Sequence, residues 1–155
     1  MHLTLLRHGD ALPPEPAPGD RGRPLSARGR ADVQAAGAAI AARSAPTHAW
    51  SSPLVRARQT AELLLAALPA PPSLEITPDL APEADPARLL AALARLSPDA
   101  DLLLVTHEPL VSALAGELLH LRVTGFPTAA AYRLHLGVAA PPARLLWRWL
   151  GRFVD

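Results

Sequence analysis

The chain has 155 residues, half of them apolar and 19% charged, a balance that suits one globular core, and its apolar runs are too short to span a bilayer. It has no cysteine, which excludes disulfides, a thiolate nucleophile and a cysteine-based zinc site. With 15 basic and 14 acidic side chains the formal charge is +1, so no broad nucleic-acid or anionic-membrane surface is expected; lysine is absent, and every fixed side-chain cation is an arginine.

In chain order, residues 2–6 are short and apolar on both faces, as expected of a strand buried in a parallel sheet. No basic region precedes this stretch, so no signal peptide is expected and the expected location is the cytoplasm. Residues 11–25, "ALPPEPAPGDRGRPL", are crowded with proline and glycine and read as a long surface loop that could cover a site. Ser26 is a candidate N-cap for a helix over 27–43 with Val33, Gly37, Ile40 and Ala41 inward. A strand is expected over 48–51. Ser52-Pro53 then reads as an N-cap followed by proline at the first helical position, opening a helix that runs to about residue 68. Residues 74–77 read as a short strand. Asp85-Pro86 opens a helix with Leu89, Leu90, Leu93 and Leu96 on one face. "LLLVT" at 102–106 is the most strand-like segment, and a helix over 109–121 follows, with Leu110, Leu114, Leu118 and Leu121 in line. Residues 129–136 and 144–150 alternate as two strands joined by a turn at Pro141-Pro142, with Leu145, Trp147 and Trp149 on one face and Leu146, Arg148 and Leu150 on the other. Strand–helix alternation predicts one α/β layered domain over 1–155, with a mostly parallel sheet and an antiparallel edge.

In such sheets ligands bind beyond the carboxyl ends of the strands. Three strands end there in reactive residues: Arg7-His8-Gly9, then Ser51-Ser52 with Arg56 and Arg58 close behind, then His107. Alone, Arg7-His8 reads first as a strand end reaching solvent. Together, two histidines and one or two arginines suit a phosphoryl group: guanidinium groups neutralise its oxygens, and a neutral imidazole can attack phosphorus. A two-residue step turns Arg58 away from Arg56 and toward the surface. Arg21, Arg23, Arg28 and Arg30 form a local basic run, read as solvated in preference to a docking patch. His2, His48, His120 and His135 read as structural or surface residues, and Trp147 and Trp149 as a core stripe. "HEPLV" is not a metalloprotease helix, because Val111 stands where a second histidine is required.

These residues resemble a known family. "LLRHGDA", "SSPLVRARQTAE" and "LLLVTHEPLV" resemble, in order, the three signature blocks of the histidine phosphatase superfamily; "RPLSARG" at 23–29 and the compact length look most like its SixA-type phosphohistidine phosphatases. The resemblance implies a three-layer α/β/α sandwich of the phosphoglycerate mutase-like fold. It makes His8 the nucleophile, with Arg7, His8, Arg56 and His107 forming the phosphate pocket and Ser52 orienting the loop. The chain departs from the pattern at the general acid, for which Glu83 and Asp10 are the candidates. A phosphoramidate needs less acid help than an ester, because the leaving imidazole takes a proton readily. The expected function is therefore a metal-independent phosphatase without cofactor, acting on a phosphorylated histidine-containing protein. The alternatives are a small phosphorylated metabolite as substrate, or a phosphoprotein-binding module with little turnover. No nucleic-acid or membrane partner is expected, and the chain is expected to be a monomer or weak dimer.

Overall fold

The structure is a computed structural model that describes residues 1–137 and 143–154. Its strands are β1 His2–Arg7, β2 His48–Ser51, β3 Leu74–Ile76, β4 Asp101–Thr106, β5 Ala131–Leu136, β6 Ala143–Trp149 and β7 Phe153–Val154. Its helices are α1 Ala27–Ala41, α2 Val55–Leu65, α3 Pro86–Leu93 and α4 Leu110–Leu119. The strands form one sheet in the order β3-β2-β4-β1-β5-β6-β7. The first four are mutually parallel, and β5, β6 and β7 extend the sheet antiparallel.

The alternation of side chains along a strand builds both outer layers. Leu3 and Leu5 of β1 and Leu102 and Leu104 of β4 point to one face, where they meet Leu89 and Leu93 of α3 and Val111, Leu114 and Leu118 of α4. Leu6, Leu103 and Val105 point to the other, against Ile40 of α1 and Ala57, Ala61 and Leu64 of α2. Each fully buried leucine contributes roughly 1.5–3 kcal/mol relative to exposure. The result is the expected three-layer α/β/α sandwich. At the amino end of β4 the Arg133 guanidinium grips Asp101 with two bonds of 2.6 Å and donates to Thr4 Oγ1 at 2.9 Å. That pair ties β5, β1 and β4 together far from the carboxyl edge.

Several local expectations are corrected. Ser52 is not the N-cap of α2: Leu54 holds that position with no side-chain cap, and Ser52 Oγ accepts only from Leu54 N at 3.3 Å. The helix ends at Leu65 rather than 68, because a short turn completes the segment and still buries Leu68. Leu121 does not continue the α4 stripe. His120 turns the chain left-handed (φ 52) and leaves Leu121 56% exposed. The β6 stripe is split by a bulge: Arg133 pairs with Trp147 but Leu134 with Leu145, so Leu146 is extra. Leu145 therefore faces the α3–α4 layer while Trp147 and Trp149 face the α1–α2 layer. Strand β7 was not anticipated; Phe153 packs edge-on against Trp147 and Trp149. The Pro141-Pro142 turn lies outside the described residues.

One glycine lets α1 approach the end of β1. A Cβ on Gly29 would lie 2.0 Å from the Asp10 carbonyl oxygen and 2.8 Å from its nitrogen, so backbone would have to move. Gly29→Ala should lower stability by about 1–3 kcal/mol in a urea titration, as overpacking does. Gly37→Ala, whose Cβ would meet nothing closer than 3.4 Å, should be neutral or stabilising. Equal midpoints for the two variants would refute the close-approach argument.

Candidate active site

Strand β4 lies between β1 and β2, so three chain segments leave the sheet side by side. Arg7 pairs with Thr106, His8 N donates to the Thr106 carbonyl at 3.0 Å, and Ser52 N donates to the Val105 carbonyl at 3.1 Å. Arg7, His8, Ser52 and His107 are thereby brought to one edge. α2 adds Arg56 in its first turn.

His8 is 7% exposed. Its Nδ1 lies 2.7 Å from the Gly9 carbonyl, which can only accept, so Nδ1 carries the ring proton. Nε2 is left with its lone pair and accepts from Arg56 Nε at 3.2 Å. Burial pushes the His8 pKa down to about 4, and the Arg56, Arg7 and Arg23 charges act in the same direction against the Gly9 bond. The imidazole is thus a free base at neutral pH, its unprotonated nitrogen set among cations.

His107 is 1% exposed, and its ring centre is 4.8 Å from that of His8. Its Nε2 meets Ser52 Oγ at 2.7 Å. That oxygen also accepts from Leu54 N at 3.3 Å, so the hydroxyl anchors the ring at its Nε2 end. The His107 Nδ1 is buried and has no hydrogen-bond partner among the described residues. Burial first, then His8 and Arg56, push the His107 pKa down to about 3. Arg7 donates from Nη1 to the Phe126 carbonyl at 2.6 Å, while its buried Nε is unpaired. An unused buried guanidinium N–H beside a neutral imidazole is what an anion would satisfy.

Supporting contacts lie outside the predicted set. Glu108 Oε1 accepts from Phe126 N and from Ser112 Oγ, both at 2.6 Å, and so fixes the carbonyl that holds Arg7. Thr60 Oγ1 accepts from Gly9 N at 3.1 Å and donates to the Arg56 carbonyl, while Gln59 accepts from Leu25 N. Loop 11–25 lies over the site. Asp20 accepts from Arg56 through its carbonyl (2.8 Å from Nη1) and its carboxylate (3.3 Å from Nη2). Arg23, read from sequence as solvated, closes that loop on itself: it donates to Asp20 Oδ1 and to the Leu12 and Ala11 carbonyls. The Gln-Thr pair of the second block was a visible signal for α2; nothing in the Pro/Gly-rich loop singled out Asp20.

The remaining candidates are placed elsewhere. The Asp10 carboxylate accepts from Ser26 Oγ at 2.6 Å, and that hydroxyl in turn caps α1 by accepting from Gly29 N. The Glu83 side chain is 71% exposed and 3.8 Å from Arg21. Neither carboxylate makes a hydrogen bond to His8, Arg7, Arg56 or His107. Arg58 is exposed and pairs with Glu62, as expected.

A sandwich of this kind, with a free-base histidine and arginines on the carboxyl edge of its sheet, is the layout of an α/β enzyme that handles phosphoryl groups. Residues 3–82 match the family model for the histidine phosphatase superfamily (branch 1), and the chain is a phosphatase belonging to that superfamily. An uncharacterized protein of Picosynechococcus sp. is 36% identical over 112 residues, which make up 70% of this chain and 67% of that protein. The structure of the protein histidine phosphatase SixA complexed with tungstate is similar at TM-score 0.85 and 29% identity, covering 96% of each chain. SixA of Agrobacterium tumefaciens has the same fold (TM-score 0.83, 23% identity, 99% and 97% covered). So does a mycobacterial glucosyl-3-phosphoglycerate phosphatase (TM-score 0.72, 22% identity, 94% and 97% covered).

The two depressed histidines set a pH dependence. Both are held below the ordinary value of 6.5, so the unfolded chain binds their protons first as pH falls. Their contribution to stability is complete above about pH 6.5 and is lost on acidification toward 4 and 3, at up to about 1.4 kcal/mol per pH unit for each. Unfolding free energy measured between pH 6.5 and 5 should fall less steeply in His8→Gln than in wild type. A slope unchanged by the substitution would show that His8 titrates normally.

Proposed function

We propose that the chain hydrolyses phosphohistidine on a protein, through a phosphorylated His8. The observation that carries this is the His8 ring itself: Nδ1–H bound to Gly9 O, Nε2 unprotonated and accepting from Arg56 Nε, and a pKa pushed down to about 4. His8 Nε2 attacks phosphorus as the bond to the leaving nitrogen breaks; the substrate ring is protonated on its distal nitrogen, so the electron pair stays on the proximal nitrogen and a neutral imidazole leaves. Water then attacks phosphorus, the P–N pair returns to Nε2 of a ring that has kept its Nδ1–H, and phosphate leaves as H2PO4− with both protons of the water. Arg7, Arg56 and the His107 Nδ1–H supply donors for the phosphoryl oxygens, and Ser52 anchors the His107 ring. The arginines carry the charge neutralisation that a metal ion supplies elsewhere, so the reaction is expected to proceed in chelator.

The carboxylates support a phosphoramidate substrate over an ester. Asp10 is committed to the Ser26 latch, and Glu83 stands in solvent against Arg21. An imidazole leaves without strong acid assistance, whereas an alkoxide requires it. The resemblance to SixA at 29% identity points the same way.

Rapid quench with a phosphohistidine-containing protein should trap an acid-labile phosphoenzyme in wild type and none in His8→Ala. Turnover by His8→Ala equal to wild type would sink the mechanism. A kcat/KM larger for sugar phosphates than for the phosphoprotein would make this a small-molecule phosphomonoesterase. Separately, Glu83→Gln and Asp10→Asn should each leave phosphohistidine turnover within about threefold. A loss of a hundredfold or more in either variant would identify that carboxylate as the proton donor.

A further inference from the structure

Arg56 is shared between the nucleophile and loop 11–25. Its Nε faces His8 Nε2 at 3.2 Å, and its far end is held by the Asp20 carbonyl at 2.8 Å and the Asp20 carboxylate at 3.3 Å. The Arg56 side chain is 6% exposed and that of Asp20 is 57% exposed, so the carboxylate stands on the solvent side of the guanidinium, where a substrate arrives. Its other oxygen accepts from Arg23 Nη1 at 3.1 Å. An acidic group thus sits one guanidinium away from the nitrogen read above as the nucleophile.

We propose that Asp20 is a specificity-determining residue: its carboxylate weakens the hold of the site on dianionic phosphate and favours phosphoryl groups borne on an N–H-bearing imidazole. The inference rests on the phosphohistidine reading above. Without Asp20, three guanidinium groups (Arg7, Arg23 and Arg56) would share one anion, and a phosphate dianion would bind tightly both as monoester and as product. Asp20 engages donors on two of them and adds a like charge beside the incoming dianion. A phosphohistidine ring protonated on its distal nitrogen offsets this, because that N–H can donate to the carboxylate, which in turn favours the protonated ring. The ring of an aryl phosphomonoester such as p-nitrophenyl phosphate has no donor at that place. During P–N cleavage the bonding pair stays on the proximal nitrogen and the distal proton stays where it is, so Asp20 holds the leaving ring without exchanging a bond. Arg23, by tying Asp20 to the Leu12 and Ala11 carbonyls, keeps the carboxylate at this position.

The test compares wild type, Asp20→Asn and Asp20→Glu with three probes: phosphoimidazole, p-nitrophenyl phosphate and inorganic phosphate as product inhibitor. Asparagine keeps an acceptor and the side-chain volume but removes the charge; glutamate keeps the charge. The expected result for Asp20→Asn is a roughly tenfold lower inhibition constant for phosphate and a roughly tenfold lower ratio of kcat/KM for phosphoimidazole over p-nitrophenyl phosphate. Asp20→Glu should stay within about threefold of wild type on both measures. Equal losses on both substrates in Asp20→Asn, with phosphate inhibition unmoved, would make Asp20 a structural anchor and overturn the proposal. If wild type hydrolyses only p-nitrophenyl phosphate, the phosphohistidine reading fails by itself. The phosphate inhibition constants then still decide whether the Asp20 charge weakens anion binding.

Discussion

The candidate site depends on one strand bonded along both of its edges. β4 accepts His8 N at Thr106 and Ser52 N at Val105, and only its position between β1 and β2 brings these residues beside His107. A slip of one residue in either pairing would exchange the faces of Leu103 and Leu104 and move a histidine away from its partner. The same register that buries the leucines therefore aligns the polar ends. Packing supplies the free energy, and the site inherits its geometry from it.

Burial then determines the state of the polar ends. Two imidazoles, each under a tenth exposed, are held as free bases chiefly by desolvation, with arginine charges acting in the same direction. The Gly9 carbonyl fixes the tautomer of His8, and the Ser52 hydroxyl anchors the ring of His107. Charge in this edge is supplied by arginine, whose protonation does not compete with that of the histidines. One kind of side chain thus provides fixed positive charge and the other provides lone pairs and neutral donors.

The layers, the four helices, six of the strands and the convergence of Arg7, His8, Arg56 and His107 were legible in the sequence, because hydrophobic period and strand ends are local signals. What was missed lies in long-range contacts. Whether Ser52 caps a helix or holds His107 depends on a strand 55 residues away, and the hydroxyl serves the histidine. The extra residue Leu146 changes which face Trp147 takes, and no local pattern announces a bulge. Arg23 and Asp20 sit in a proline-rich stretch that looks like solvent-facing loop; only the fold shows that Asp20 holds Arg56 and Arg23 holds Asp20. Asp10 read as a candidate general acid beside His8, but its side chain points to the cap of α1.

The planarity of Arg56 has a further consequence. A guanidinium is rigid, so its His8 end and its Asp20 end cannot reorient independently. On the mechanism proposed above, a phosphoryl group bonded to Nε2 removes the lone pair to which Nε now donates, and the plane must find new partners at that end. Whatever rotation results is imposed on loop 11–25 through the two Asp20 bonds. By thermodynamic reciprocity, anything that secures or loosens the loop alters the equilibrium for phosphate binding at the nucleophile by the same factor. The surface loop and the buried imidazole are two ends of one lever.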